Sequence, residues 1–162
     1  MSKTLYLETS VIGYLTARPS QNLIVAANMT VTREWWDTCR DNFEIYVSET
    51  VLNEIAKGDP EMAQKRIEVI TNLPFLFANE TVTNLTEQFL QQTNLPPKAS
   101  DDALHIALAT VYSLDYLLTW NCRHIANPNI QRKLSEISTN FGYQLPILCT
   151  PYQLARKNYD VT

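Results

Sequence analysis

The chain reads as an α/β protein, a three-layer α/β/α sandwich around a central, mostly parallel five-stranded sheet. Three observations predict this. Strand-like and helix-like segments alternate along the whole sequence. The strand segments are short, continuous apolar runs rather than alternating ones, as expected where helices cover both faces of a parallel sheet. No internal repeat, low-complexity stretch or linker interrupts the alternation, so 162 residues fit one domain with a sizeable core.

The first strand is expected over residues 4–7, ending at Glu8-Thr9-Ser10, with an apolar helical pattern from Val11 that Ala17-Arg18-Pro19-Ser20 breaks. Residues 22–39 continue as an amphipathic helix carrying Trp35 and Trp36, of which at least one ring should face the core. A second strand covers 44–47. Ser48 then caps a helix over 49–57, which stops at Gly58-Asp59-Pro60, and 61–72 reads as another helix. Residues 75–78 form a third apolar strand and 81–92 a helix. Asn94-Leu95-Pro96-Pro97 is a strong break before a core helix, for which Ser100 is the expected N-cap, with Asp101 and Asp102 in its first turn. That helix is apolar nearly all round, interrupted only by His105, and is therefore expected to be buried. Residues 116–119 make the fourth strand. A helix over 130–141 is capped by Gly142, 147–149 is the fifth strand, and Pro151 opens a last helical turn. The domain is assigned to residues 1–155, with a polar tail over 156–162.

The net charge is −4, whereas a protein gripping nucleic acid through many phosphates is usually basic. Any nucleic-acid role must rest on local positive groups or a bound cation. No apolar run is long enough to span a bilayer and the first residues carry no signal-peptide pattern, so no membrane association is expected. Cys39, Cys122 and Cys149 are odd in number and scattered, which argues for reduced, buried thiols in a cytoplasmic protein and against a zinc site.

In an open parallel sheet, functional groups gather beyond the carboxyl ends of the strands. Those ends carry Glu8-Thr9-Ser10, Ser48-Glu49 and Thr119-Trp120-Asn121, with Glu54 about a turn into the helix after the second strand and Asp101 and Asp102 opening the core helix. Each first-turn acid has a plainer role in complementing the helix dipole. Clustered carboxylates, however, repel until protonation or a cation relieves them. Oxygen ligands without paired His or Cys favour Mg²⁺ or Mn²⁺, and the reaction class that fits is metal-assisted phosphodiester hydrolysis. A glycine-rich phosphate loop is absent, the three glycines being Gly13, Gly58 and Gly142.

Four pieces of the chain carry a family likeness: Leu5-Tyr6-Leu7-Glu8-Thr9-Ser10-Val11-Ile12, Val47-Ser48-Glu49-Thr50-Val51-Leu52-Asn53-Glu54-Ile55, Asp101-Asp102-Ala103-Leu104-His105-Ile106-Ala107, and Leu117-Leu118-Thr119-Trp120-Asn121. In these, and in their order over residues 4–154, the chain resembles the PIN-domain family, specifically the VapC-like toxins of bacterial type II toxin–antitoxin modules. The resemblance implies a PIN-like fold and a Mg²⁺- or Mn²⁺-dependent ribonuclease acting on RNA. Such toxins are commonly homodimers silenced by a cognate antitoxin. It also implies Glu8, Glu54 and Asp102 as metal ligands, with Asn121 a fourth catalytic group that orients water or substrate. Thr9, Ser10 and Thr119 are the substrate-side residues it implies; from their positions in the chain, Asp101 and Arg123 are further substrate-side candidates, and Lys98 and Arg18 candidate phosphate contacts. Asp102 is expected to turn inward toward Glu8 and Glu54, with Asp101 left as the dipole acid.

Two departures stand out. Glu8 is one methylene longer than the family's usual Asp, and His124 occupies a position where relatives with Thr-x-Asn often carry another acid. They motivate an alternative, a catalytically weakened PIN-like module acting by RNA or protein binding. A metal-dependent α/β phosphatase is a more distant rival. His105 reads as a satisfied core histidine, and Trp35 and Trp36 as core residues or as base-stacking or partner-binding rings.

Overall fold

A computed structural model describes residues 2–155; the tail assigned to 156–162 lies outside the described residues. Five strands, β1 (Lys3–Leu7), β2 (Phe43–Ser48), β3 (Phe75–Leu76), β4 (Tyr116–Leu118) and β5 (Ile147–Cys149), form one sheet in the order β3-β2-β1-β4-β5. Every pairing is parallel, with Leu5 opposite Ile45 on one side and Tyr116 on the other. Leu5, Tyr6 and Leu7 of the central strand are fully buried, which is why their run is apolar without alternation.

The helices are α1 (Thr9–Thr16), α2 (Leu23–Cys39), α3 (Glu49–Ile55), α4 (Pro60–Ile70), α5 (Glu80–Gln92), α6 (Ser100–Val111), α7 (Pro128–Asn140) and α8 (Pro151–Leu154). Each expected element is present, with ends shifted by a few residues. Ser48 caps α3 by accepting from the Val51 N–H, and Gly142 takes a left-handed φ of 83° just past α7, as a C-terminal cap requires.

Ser100 does not cap α6. The Pro97–Ala99 segment winds into a 3₁₀ turn that runs straight into the helix, so Ser100 is already helical, and Ala99 stands at the N-cap position without a side-chain hydrogen bond. Two consecutive prolines fix φ for a tight turn, and that turn replaces the side-chain cap. α6 is otherwise as expected: Ala103 and residues 105–110 are buried. The cysteine expectation holds for Cys39 and Cys149 but not for Cys122, which is exposed because it sits in the loop after β4 rather than on an element. Burial pushes the Cys149 thiol up to about 12, so it is an inert core group.

Trp35 is buried and packs on Trp36 and on Phe43 at the amino end of β2, while Arg40 lies 4.9 Å above the Trp36 ring. Both tryptophans therefore belong to the end of the sheet opposite the strand carboxyl ends. No helix among the described residues is long and apolar enough to cross a membrane.

The turn into β4 is tied to β1 by a reciprocal lock. The Thr4 N–H and Oγ1 both donate to Asp115 Oδ2, and the Asp115 N–H donates back to Thr4 Oγ1 at 2.9 Å. The Thr4 backbone donor is the main cause that holds the Asp115 carboxyl below its ordinary range. Its stabilisation is complete above the unfolded carboxylate pKa and is lost as pH falls through the lower folded value. Asp115→Ala is expected to cost about 1 kcal/mol at pH 7, since the lock is exposed to solvent. Urea denaturation should show that difference shrinking steadily below about pH 4.

Candidate active site

β1 and β4 are neighbours at the point where the strand order reverses, and the crevice beyond their carboxyl ends is where such sheets bind ligands. Glu8 leaves β1 at this crevice. Its N–H still pairs with the Leu118 carbonyl at 3.1 Å, its backbone is extended, and it is the N-cap residue of α1. The side chain is only 4% exposed. A carboxylate so buried is costly unless donors surround it. Here Oε1 accepts from the Ser10 hydroxyl and, at 2.5 Å, from Thr119 Oγ1, while Oε2 accepts from the Ser10 N–H at 3.2 Å. Ser10 and Thr119 in turn accept from the Trp120 and Asn121 N–H groups, so the same two hydroxyls that hold Glu8 also shape the loop after β4.

Glu54 enters from α3, half-buried. Its Oε1 accepts from Thr9 Oγ1 at 2.7 Å and meets His105 Nε2 at 2.5 Å. Burial alone would raise its pKa, but the His105 and Thr9 hydrogen bonds, the His105 charge and the Lys57 ammonium outweigh burial and hold it below the ordinary glutamate value. His105 is fully buried on α6. Burial disfavours its charged form, yet the Glu54 hydrogen bond and the fields of Glu8, Glu54 and Asp102 together raise its pKa. Those three carboxylates thus act on one imidazole.

The side chain of Asp102 meets a histidine rather than another acid. Asp102 is half-buried and Asp101 exposed, and Asp102 Oδ2 is paired with His124 Nδ1 at 2.9 Å. His124, read from sequence only as a missing acid, is thus the partner of one. Asn121 spends its side-chain oxygen on the His124 N–H at 3.0 Å, and its backbone carbonyl accepts from Ile125 and Ala126, so it builds the turn that carries His124. Arg123 is exposed beside it and lines a cavity of about 440 Å³ with His124, Asn94, Pro96 and Asn127. Lys98 and Arg18 are exposed, and no structural partner ties either of them to the carboxylates.

Sequence reasoning missed Tyr6 and Ser48. Tyr6 looked like one more apolar strand residue, yet its hydroxyl lies 2.6 Å from His105 Nδ1 and 2.7 Å from Ser48 Oγ. The one available signal was His105 itself, the single polar residue in the apolar run of α6.

The donor chemistry of the site suits a hard divalent cation. Glu54 and Asp102 each have one oxygen engaged by protein groups and one, Oε2 and Oδ1, that accepts no hydrogen bond among the described residues, whereas both oxygens of Glu8 accept. The described residues do not bring three Asp, Glu, His or Cys side chains together in a ready-made cage. Mg²⁺ and Mn²⁺ need no such cage, since one or two carboxylates hold them with water completing the shell. Glu8, Glu54 and Asp102 are the residues that would hold it.

No family model matches the chain, and no curated protein matches it by sequence. Solved structures do match. VapBC2 from Rickettsia felis, bound to a DNA fragment from its promoter, superposes with a TM-score of 0.58 at 13% identity, over 91% of this chain and 98% of that one. VapC20 from Mycobacterium tuberculosis, a toxin that cleaves the sarcin–ricin loop, gives 0.59 at 11% identity over 74% and 92%. VapBC-1 from nontypeable Haemophilus influenzae gives 0.54 at 14% identity over 92% and 98%. At such identity the likeness shows the fold: this chain has the fold of VapC toxins, the PIN-domain fold.

Thr119 is the pivot of the Glu8 cage. Thr119→Val keeps its shape but leaves a buried carboxylate short of a donor and the Asn121 N–H without its acceptor. It should lower stability by about 1–3 kcal/mol, read as a shift in the urea midpoint, with Thr119→Ser recovering most of it. Cys122→Ser, in the exposed loop, should change stability by no more than about 0.5 kcal/mol.

Proposed function

We propose that the protein is a metal-dependent endoribonuclease that hydrolyses RNA phosphodiester bonds, and that it is the toxin of a toxin–antitoxin pair. The observation that supports this reading is the hydrogen-bonded set that links Glu8, Glu54 and Asp102: Thr9, next to Glu8, donates to Glu54, and Thr119, a donor to Glu8, accepts from Asn121, whose side chain holds the turn bearing His124, the partner of Asp102. Glu54 and Asp102 each present one oxygen without a hydrogen bond among the described residues.

A Mg²⁺ or Mn²⁺ ion bound there would supply Lewis acidity toward a phosphoryl oxygen and lower the pKa of water. The protein's own groups do the rest. Ser10 and Thr119 hold and aim Glu8; Thr9 and His105 hold Glu54; His124 orients Asp102. Asn121, through the turn it builds, sets the position of His124, and its Nδ2 is the group left to face substrate or water. Arg123 offers an exposed guanidinium for a strand phosphate, which a chain of net charge −4 needs locally. Asp101, exposed at the mouth of α6, stands where it can meet an outer-sphere water.

Support for the RNA substrate comes from the matched toxin that cleaves the sarcin–ricin loop, and for an antitoxin partner from the two VapBC structures. A homodimer is part of the proposal and rests on the resemblance of the sequence motifs alone.

One observation favours a second reading, a module with weakened catalysis that acts by RNA or protein binding. Asp102 Oδ2 is already engaged by Nδ1 of His124, in the position where relatives often carry an acid. Cleavage of a mixed RNA substrate decides between the two. The expected result is hydrolysis that needs Mg²⁺ or Mn²⁺, stops with EDTA, and falls about 100-fold in Asp102→Asn. Equal activity in both proteins removes Asp102 from the machinery. No hydrolysis together with no Mn²⁺ heat signal at millimolar concentration favours the module.

A further inference from the structure

A polar line runs beneath the site through the core, and beyond the contact of His105 with Glu54 the proposed chemistry gives it no task. Ser48 Oγ, at the end of β2, lies 2.7 Å from the Tyr6 hydroxyl; that hydroxyl lies 2.6 Å from His105 Nδ1; and His105 Nε2 lies 2.5 Å from Glu54 Oε1. Tyr6 and His105 are fully buried and Ser48 is 1% exposed. A core that needed only packing would place Phe and Leu at these positions at no desolvation cost.

The direction of the line follows from its ends. Glu54 is ionised and can only accept, so Nε2 must carry a proton; a lone pair facing the carboxylate at this distance would repel it. Nδ1 then needs a partner able to serve either protonation state of the ring, and a hydroxyl is such a partner. Toward a neutral ring, Ser48 donates to Tyr6 and Tyr6 donates to Nδ1. Toward an imidazolium, Nδ1–H donates to Tyr6 and Tyr6 donates to Ser48. Ser48 Oγ also accepts the Val51 N–H that starts α3, the helix carrying Glu54, so the line closes on the element it serves.

We propose that His105 is a positioning residue for Glu54, locked in turn by the Tyr6–Ser48 hydroxyl pair. His105 and Thr9 together occupy Oε1, and this leaves Oε2 as the oxygen Glu54 offers to a divalent cation. The assignment rests on the metal-dependent reading for its consequence, but not for the hydrogen-bond line itself.

The test uses the full chain with Mn²⁺ as the probe, and the variants Tyr6→Phe, His105→Leu and His105→Gln. In the metal-free wild type, imidazole ¹⁵N spectra should show His105 Nε2 protonated and its proton slow to exchange. Tyr6→Phe should keep the fold, speed that exchange and weaken calorimetric Mn²⁺ affinity, with KM for RNA unchanged. His105→Leu should lose about 10- to 100-fold in Mn²⁺ affinity, and His105→Gln, whose amide can still donate to Oε1, should recover part of it. Wild-type Mn²⁺ affinity in a folded His105→Leu protein overturns the positioning role. Wild type that binds no Mn²⁺ overturns the nuclease reading instead. The spectra of metal-free wild type and Tyr6→Phe then decide the line alone, and identical His105 signals in the two overturn it.

Discussion

A carboxylate sealed at the end of the innermost strand is the constraint on which the rest of the site depends. Glu8 sits where β1 ends, at 4% exposure, among residues with no cation to offer it. Burying a charge there is tolerable only because Ser10 and Thr119 hydroxyls and a backbone N–H point at it. Those hydroxyls also accept the N–H groups of Trp120 and Asn121. The start of α1 and the loop after β4 are therefore built around one anion. The extra methylene of Glu8, which from sequence looked like a displacement of the ligand, is absorbed by this cage: the side chain folds back to cap its own helix.

The other two acids are stabilised differently. The chain has two histidines, and both meet site carboxylates, His105 at Glu54 and His124 at Asp102. Each imidazole engages one carboxylate oxygen, and at Glu54 this contact outweighs the burial that would raise the pKa and helps hold it below its ordinary value. A cation would meet the oxygens that the imidazoles leave open, Glu54 Oε2 and Asp102 Oδ1. Outer partners of this kind typically orient metal ligands as well as neutralise them. The same pairs explain why two carboxylates in adjacent positions differ: Asp102 has His124 to turn toward, whereas Asp101 has solvent.

Much of this was legible in the sequence, and the reason is periodicity. Apolar strands of 3–6 residues between helical segments can hardly be anything but a covered parallel sheet, and β5 was read to the residue. The strand ends then pointed to Glu8, Thr119 and the first turn of α6 before any contact was known. What escaped were properties of pairs distant in sequence. Nothing local to Tyr6 says that its hydroxyl meets a histidine 99 positions away, or that Ser48 serves both a helix cap and that hydroxyl. His124 was read as the loss of a carboxylate because its neighbour across the fold, Asp102, lies 22 residues back. Ser100 failed as a cap for a local reason, the 3₁₀ turn that Pro96 and Pro97 favour, which side-chain preference alone does not reveal.

The central claim, that Glu8, Glu54 and Asp102 hold one divalent cation at the switch point of the sheet, is tested most directly by a crystal of the full chain soaked in Mn²⁺ with anomalous data collected. The account predicts a single strong anomalous peak in the crevice between the ends of β1 and β4, with oxygens of at least two of these three acids at about 2.1 Å. Well-ordered electron density for all three acids with no anomalous peak among them, or a peak held by other residues, would contradict it.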